Sequence, residues 1–524
     1  MLSNRFKKFC TENKAALLIT LLSLAGCLLL NETNVSLIKK NNPSNEHAGY
    51  ALMEGDLLWN YDSDDYLTPA ENFLAGKGWQ KSPSIGNGAY FRRTPGYALI
   101  YFCCLSITSS KSDALSLLKT INIITFLVAV FLFYKSLILL EIPPKIAVLF
   151  GCFFGLVPWF SIYTYYALTE SLSPFLMIFF VYWLLKASQE KDQQKKTFYY
   201  IIASCFISYA ILTRPITGIA ALVVPIFIFK DFISKGFFTF IKKGIVIGIL
   251  PIAMLLSWGV RNYLQANEFV LLEKAVHPEN LDRQKPEFIA FWNFLNLWGT
   301  DGAEMNTYHL PFYRQSINGD TSMTYINNIL ANIPQKAKKV VGENALKKTL
   351  VRYRTILNSW APYIKAQKAL PNVYTNEQLA VKAEFEAYRQ QYITAYPFEV
   401  YVRTPLKFTK DLLVHSNTSA IYLFQSDFRH ISVLNYIRLG LVLTHILFYL
   451  LLFIASILLL KEGIKVYSIF VAIPMLTILF FTLYFQAIEQ RYMLPFLPLV
   501  IIASALMFHR FSLLIKIKPL FKSR

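Results

Sequence analysis

The sequence predicts an all-α polytopic membrane protein: a bundle of about ten transmembrane helices with a mainly helical domain outside it. Three observations predict this. Hydrophobic residues make up 55% of the 524 residues and the mean hydropathy is +0.39, a composition that belongs to membrane chains rather than large soluble ones. Apolar runs of about 20 residues recur, each able to cross the roughly 30 Å hydrocarbon layer as a helix. Lys and Arg gather at the ends of those runs, so the net charge of +20 reflects orientation in a bilayer, with membrane lipids as neighbours and no nucleic-acid partner.

The first run, 15–37, follows Arg5, Lys7, Lys8 and Lys14 and lacks a small-residue cleavage site after it, which reads as an uncleaved anchor. Further runs lie at 95–108, 115–140, 145–163, 171–187, 197–213, 216–230, 244–260, 434–460, 466–486 and 492–508. Residues 95–108 are short and fenced by polar residues, the length of an interfacial or re-entrant helix. If they do not cross, the basic N-terminus, the Lys135–Lys145 turn, KASQEKDQQKK, Lys230 to Lys243, KEGIK and the basic tail share one side. That side is then the cytoplasm. If they do cross, every later basic loop falls outside. The first arrangement gives ten spans, both ends cytoplasmic, and divides the chain into three parts. These are a transmembrane module at 1–263 with a first outer loop at 38–110, an outer cap at 264–433, and C-terminal helices with a basic tail at 434–524.

No internal repeat is visible. None of the six cysteines lies between 262 and 430, so no disulfide framework is readable. His277, His309, His415 and His430 lack i, i+4 spacing and a Cys partner, which argues against zinc.

The first outer loop holds Asp62, Asp64 and Asp65 within four positions of a chain only 16% charged. TPAE after them reads as a capping box, with Thr68 as N-cap, Pro69 at the first helical position and Glu71 reaching back. Ala70, Phe73 and Leu74 give a short apolar face, and Gly76 and Gly78 end it. The aspartates then sit just before a helix N-terminus, which favours their ionised forms. FRRTPGY adds Arg92 and Arg93, whose guanidinium forks suit phosphate oxygens. Glu170 opens a later span on the same face. Arg214, Arg261 and Arg491 sit at outer ends of spans, where arginine commonly snorkels to headgroups; that reading is favoured for Arg214. In the cap, KKVVGENALKKTLVRYRTILNSWAPYIK and NEQLAVKAEFEAYRQQYITAYPFEVYVRTPLKFTKDLL read as amphipathic helices.

Several stretches together resemble the bacterial GT-C glycosyltransferases, the polytopic enzymes that use polyprenyl-phosphate sugars, among them aminoarabinose and protein O-mannosyl transferases. YDSDDYLTPAENFLAGKGW followed by RTPGYALIYF is similar to that family's first outer loop, with Asp62, Tyr66, Ala70 and Pro95-Gly96-Tyr97 at the matching positions. YYALTESLSPFLMIFF resembles the second outer loop, placing its acid at Glu170, and LTRPITGIAALVVP, SWGVRNYL and EQRYMLPFLPLVII resemble later landmarks. The match covers roughly 15–263 and 434–508. The resemblance implies an inverting transfer at the periplasmic or exterior face of a bacterial plasma membrane, from a polyprenyl-phosphate sugar to a lipid, glycan or protein acceptor. It implies Asp62 as the base, with Asp64 and Asp65 as alternates, Glu170 as its acidic companion, and Tyr66 and Tyr97 against substrate. Arg92, Arg93, Arg261 and Arg491 are the candidates for the donor phosphate. No cofactor is implied, although Asp62 with Glu170 leaves a divalent metal open. A lipid-linked glycan flippase and an O-antigen ligase or polymerase are the rival readings. A flippase would carry its charges inside the spans, and a ligase would lack the acidic first loop.

Overall fold

The computed structural model describes residues 11–41, 51–60, 62–81, 93–222, 236–273, 285–300, 302–366, 370–371, 373–414, 432–462, 468–486, 488 and 490–521. Arg92 and most of the run at 216–230 lie outside them.

Helix α1 (Lys14–Asn41) leads to a two-stranded antiparallel ladder of β1 (Ala51–Leu52) and β2 (Leu58–Trp59), and then to α2 (Ser63–Leu74). After α3 (Gly96–Ile107) come α4 (Lys111–Leu139), α5 (Pro144–Leu156), α6 (Ser173–Gln189), α7 (Gln193–Thr213) and α8 (Phe237–Ala266). Eight segments among the described residues are long and apolar enough to cross a membrane: six between Lys14 and Ala266, then Asn435–Leu458 and Arg491–Ser512. A ninth expected span is a shorter apolar stretch, Ile469–Phe485.

α3 has 12 residues, about 18 Å at 1.5 Å per residue, and is too short to cross. It also returns to the side it came from. Glu71 of α2 accepts from Tyr101 of α3 at 3.0 Å and pairs with Lys111, the first residue of α4, at 2.8 Å.

α6 is the centre of the bundle. Every residue from Thr169 to Tyr182 is buried, as expected of a stretch that is apolar on all sides. Small residues let α1 and α5 approach closely: a Cβ on Gly155 would meet Ser23 Oγ at 2.0 Å.

The cap has its own core, built from α9 (Pro286–Leu295), α10 (Gly302–Ile317), α11 (Thr324–Asn332), α12 (Gln335–Val341), α13 (Glu343–Ser359) and α14 (Asn376–Ala395). Phe291 and Phe385 meet at 4.7 Å between ring centroids across α9 and α14. α15 (Thr404–Val414) then ties the cap to the bundle. Thr404 and Lys407 donate to the Leu297 and Gly299 carbonyls of the cap, while Phe408, Leu412 and Leu413 belong to the membrane core. α16 (Ser432–Glu462), α17 (Ile469–Leu479) and α18 (Leu497–Phe521) complete the bundle.

Two sequence expectations are corrected. The second long amphipathic stretch of the cap is two helices, α14 and α15, broken at Pro397 where the ring removes a donor. The expected cap at Thr68 is in the interior of α2, which begins five residues earlier at Ser63. Side chains start the turn there: the Asn60 amide donates to Ser63 Oγ at 2.9 Å, and the Asp62 amide to Asn60 Oδ1 at 3.2 Å. Burial of Leu67, Pro69 and Ala70 offsets the helix bond that Pro69 forfeits. Asp64 and Asp65 therefore lie in the first turn of α2, with Asp62 at its N-cap. Gly76 and Gly78, both at positive φ, follow its end.

Candidate active site

Six charged side chains from six parts of the chain meet at one cavity of about 420 Å³. Asp62 and Tyr66 come from α2, four residues apart and so on one face of the helix. Arg93 comes from the strand of chain before α3, and Glu170 from a single 3-10 turn between α5 and α6. Arg214 caps the end of α7 before Pro215, whose ring stops the helix from continuing. Glu273 follows α8, and Arg491 with Tyr492 lies in the 3-10 turn before α18.

The charges form an alternating chain. Arg93 Nη1 is 4.0 Å from Glu273, and its Nη2 donates to Asp62 Oδ1 at 3.2 Å. Arg491 Nη2 donates to Asp62 Oδ2 at 2.6 Å, while Nη1 lies 3.7 Å from Glu170 Oε1. Arg214 Nη1 reaches the same Glu170 oxygen at 2.9 Å. Glu170 is only 2% exposed, which a carboxylate tolerates only when it is paired. Two aromatic faces back the cations, Tyr66 5.2 Å beneath Arg93 and Tyr492 5.6 Å beneath Arg214. Apolar side chains complete the lining: Ile216, Ile219, Phe480, Phe481 and Phe485, with Phe481 stacked on Tyr492 at 5.1 Å. The three phenylalanines project from a π-turn, Phe480–Phe485, that continues α17 and ends at Gln486 with φ of 51°.

Burial alone pushes the Asp62 carboxyl up, but Arg491 and Arg93 outweigh it and hold the group at about 2. Asp62 is therefore ionised across the physiological range, and firmly engaged.

Five of the residues expected from sequence line this cavity: Asp62, Tyr66, Arg93, Glu170 and Arg491. Four do not. Asp64 turns outward and accepts from Trp59 Nε1 at 2.8 Å. Asp65 is buried against Lys81, 3.6 Å from Arg93. Tyr97 is fully buried, its hydroxyl bonded to the Tyr166 carbonyl at 3.2 Å. Arg261 donates to Asn262 at 2.7 Å and to the Trp79 carbonyl, and stacks on Trp258. Arg214, Glu273 and Tyr492 are lining residues that sequence reasoning did not select. RP in LTRPIT marks the first, since an Arg fixed by a following Pro at a span end is held in place. RY in EQRYM marks the third. Glu273 has no signal beyond being an acid near a span.

Arg491 stands between Asp62 and Glu170, where a shared divalent cation would sit. The donor set fits a guanidinium there, not a metal ion. Among the described residues no three His, Cys, Asp or Glu cluster as ligands.

Neither a protein-family model nor a curated protein matches the sequence. Two solved structures are similar. One is ArnT from Cupriavidus metallidurans bound to undecaprenyl phosphate, 11% identical, covering 95% of this chain and 79% of that one with a TM-score of 0.34. The other is the same protein in the apo state, 11% identical, covering 85% and 72% with a TM-score of 0.30. Likenesses this loose carry no argument about the chemistry of this chain.

Proposed function

We propose that the protein is an inverting glycosyltransferase that takes a sugar from a polyprenyl-phosphate donor at the outer face of a bacterial plasma membrane. The acceptor is a lipid, glycan or protein hydroxyl. The observation that carries the reading is the cavity's mixed lining: Arg93, Arg214 and Arg491 share it with five apolar side chains, Ile216, Ile219, Phe480, Phe481 and Phe485. An anionic headgroup on a hydrocarbon tail calls for both kinds of contact. The sequence resemblance to GT-C transferases supports the same conclusion.

The chemistry follows from the charge chain. A phosphodiester that accepts hydrogen bonds from Arg491 and Arg93 takes them from Asp62. Asp62, no longer stabilised by those cations and now beside a second anion, rises from about 2 toward the ordinary carboxylate range. It becomes a usable base as the donor binds. The acceptor hydroxyl loses its proton to Asp62, and its oxygen attacks the anomeric carbon. The bond from that carbon to the phosphate oxygen breaks from the opposite face, and its electron pair leaves with the polyprenyl phosphate. The arginines stabilise the charge gathering on that leaving group. Glu170 holds Arg214 and Arg491 in place.

The test is to incubate purified protein with a panel of radiolabelled polyprenyl-phosphate sugars and membrane lipids, comparing wild type with Asp62→Asn. New glycosidic product from wild type and a loss of roughly 10²–10⁴-fold in the variant are expected. Movement of lipid-linked sugar between leaflets without a new glycosidic bond would overturn the reading.

A further inference from the structure

The Pro95-Gly96-Tyr97 element does not touch the cavity, yet it touches three of the segments that build it. Gly96 abuts the end of α7. A Cβ there would lie 2.5 Å from the Thr213 amide nitrogen and 2.6 Å from the Leu212 carbonyl oxygen, one or two residues before Arg214. Those are backbone atoms that cannot rotate away, so only glycine fits. The Gly96 carbonyl also accepts from Tyr209 of α7 at 2.6 Å. The next residue reaches a second segment. Tyr97 donates to the Tyr166 carbonyl, and Ser171 Oγ lies 3.4 Å from the Tyr97 hydroxyl, so the contacts bracket Glu170. Asn122 of α4 completes this buried cluster, donating to the Thr164 carbonyl at 3.2 Å and to Tyr97 Oη at 3.4 Å. The Tyr97 ring meets the edge of Tyr66 on α2, the third segment, at 6.0 Å.

We infer that Gly96 and Tyr97 are positioning residues: one wedge fixes Arg214 through the α7 terminus and Glu170 through the 166–171 turn, and so sets their 2.9 Å ion pair. The physical basis is that the pair joins two loops, neither of which is held by a continuous helix at the charged residue. A buried pair keeps its worth only with good geometry. The wedge supplies that geometry from a part of the chain that neither loop contains. Its effect on transfer rests on the function proposed above; its effect on the ion pair does not.

Two variants test it, each examined by electron cryomicroscopy in lipid nanodiscs and by transfer kinetics. Tyr97→Phe keeps the ring and removes the hydroxyl. Gly96→Ala inserts the forbidden methyl group. In Gly96→Ala the Glu170–Arg214 separation is expected to open beyond 4 Å, the ordinary limit of an ion pair, with the surrounding helices retained. In Tyr97→Phe the thermal midpoint should fall modestly, since buried partners lose a hydrogen bond, with the protein still folded at assay temperature, while kcat falls roughly 10- to 100-fold, the range for sub-ångström to 1 Å misplacement, with the donor KM nearly unchanged. An unaltered ion pair in both variants overturns the proposal, as does full turnover in Tyr97→Phe beside an active wild type. If the wild type transfers no sugar at all, the functional reading fails, and the ion-pair measurement alone decides the positioning claim. Should Gly96→Ala fail to fold, Tyr97→Phe answers both questions.

Discussion

Asp62 and Arg491 are the residues on which the site's behaviour turns, and each makes a prediction. The Asp62 carboxyl lies at about 2 in the folded protein against about 3.9 when unpaired. A depressed pKa contributes stability above the unfolded value and loses it as pH falls through the folded one. The contribution, about 2 kcal/mol, should therefore be complete above about pH 4 and fade toward pH 2. Thermal melting across that window should show the loss in wild type and not in Asp62→Asn. Kinetics should separate two states of the same group. The acid limb of kcat/KM, which reports the free protein, should lie at lower pH than that of kcat, which reports the loaded one. Arg491 bridges Asp62 and Glu170 with different nitrogens, a span that a single ammonium cannot reproduce. Arg491→Lys should behave like Arg491→Ala in donor affinity; restoration of wild-type KM by lysine would count against the bridge. Asp62 and Glu170 were visible in the sequence because acids are rare in an apolar chain. Arg214 was not, because an arginine at a span end looks the same whether it meets a headgroup or a buried glutamate.

Helix phase is where the sequence misled. Reading the start of α2 at Thr68 put all three aspartates just before the helix and left Asp64 and Asp65 as alternates to Asp62. Beginning at Ser63, the helix turns each successive residue by about 100°, which sends Asp62 to the cavity, Asp64 to solvent and Asp65 to Lys81. One boundary thus decided which acid is available for chemistry. The cap offers a contrasting case with no link to the site. Thr375 and Gln378 form a complete capping box on α14. Thr375→Ala should cost the protein about 1 kcal/mol in denaturation while leaving transfer unchanged. A large loss of activity in that variant would place α14 in the catalytic machinery.

At the scale of the molecule, hydropathy made the bundle legible, and the eight long apolar segments fall where the runs do. The assembly of the cavity was not legible, since its residues come from positions as far apart as 62 and 491 and no local pattern records such contacts. Sidedness rests on charge parity and can be measured directly. Lys77 is exposed beyond α2; Lys77→Cys, in a background without native cysteines, should react in intact cells with a thiol reagent that cannot cross the membrane. Labelling only after lysis would reverse the orientation. Undecaprenyl phosphate at 100 times its Kd should stabilise the wild type by about 2.7 kcal/mol, seen as a higher melting temperature, with no shift in Arg491→Ala. The lining charges have one more consequence. Three guanidinium groups accompany three carboxylates in the lining among the described residues, so the cavity supplies its own counter-ions. Chloride, sulfate or free phosphate from solution would have to break internal pairs with nothing else to offer in exchange. The proposed lipid donor can, because desolvating its hydrocarbon against the phenylalanines would drive the swap. Selectivity against soluble anions is thereby built into neutrality itself, and high salt should compete only weakly with the lipid.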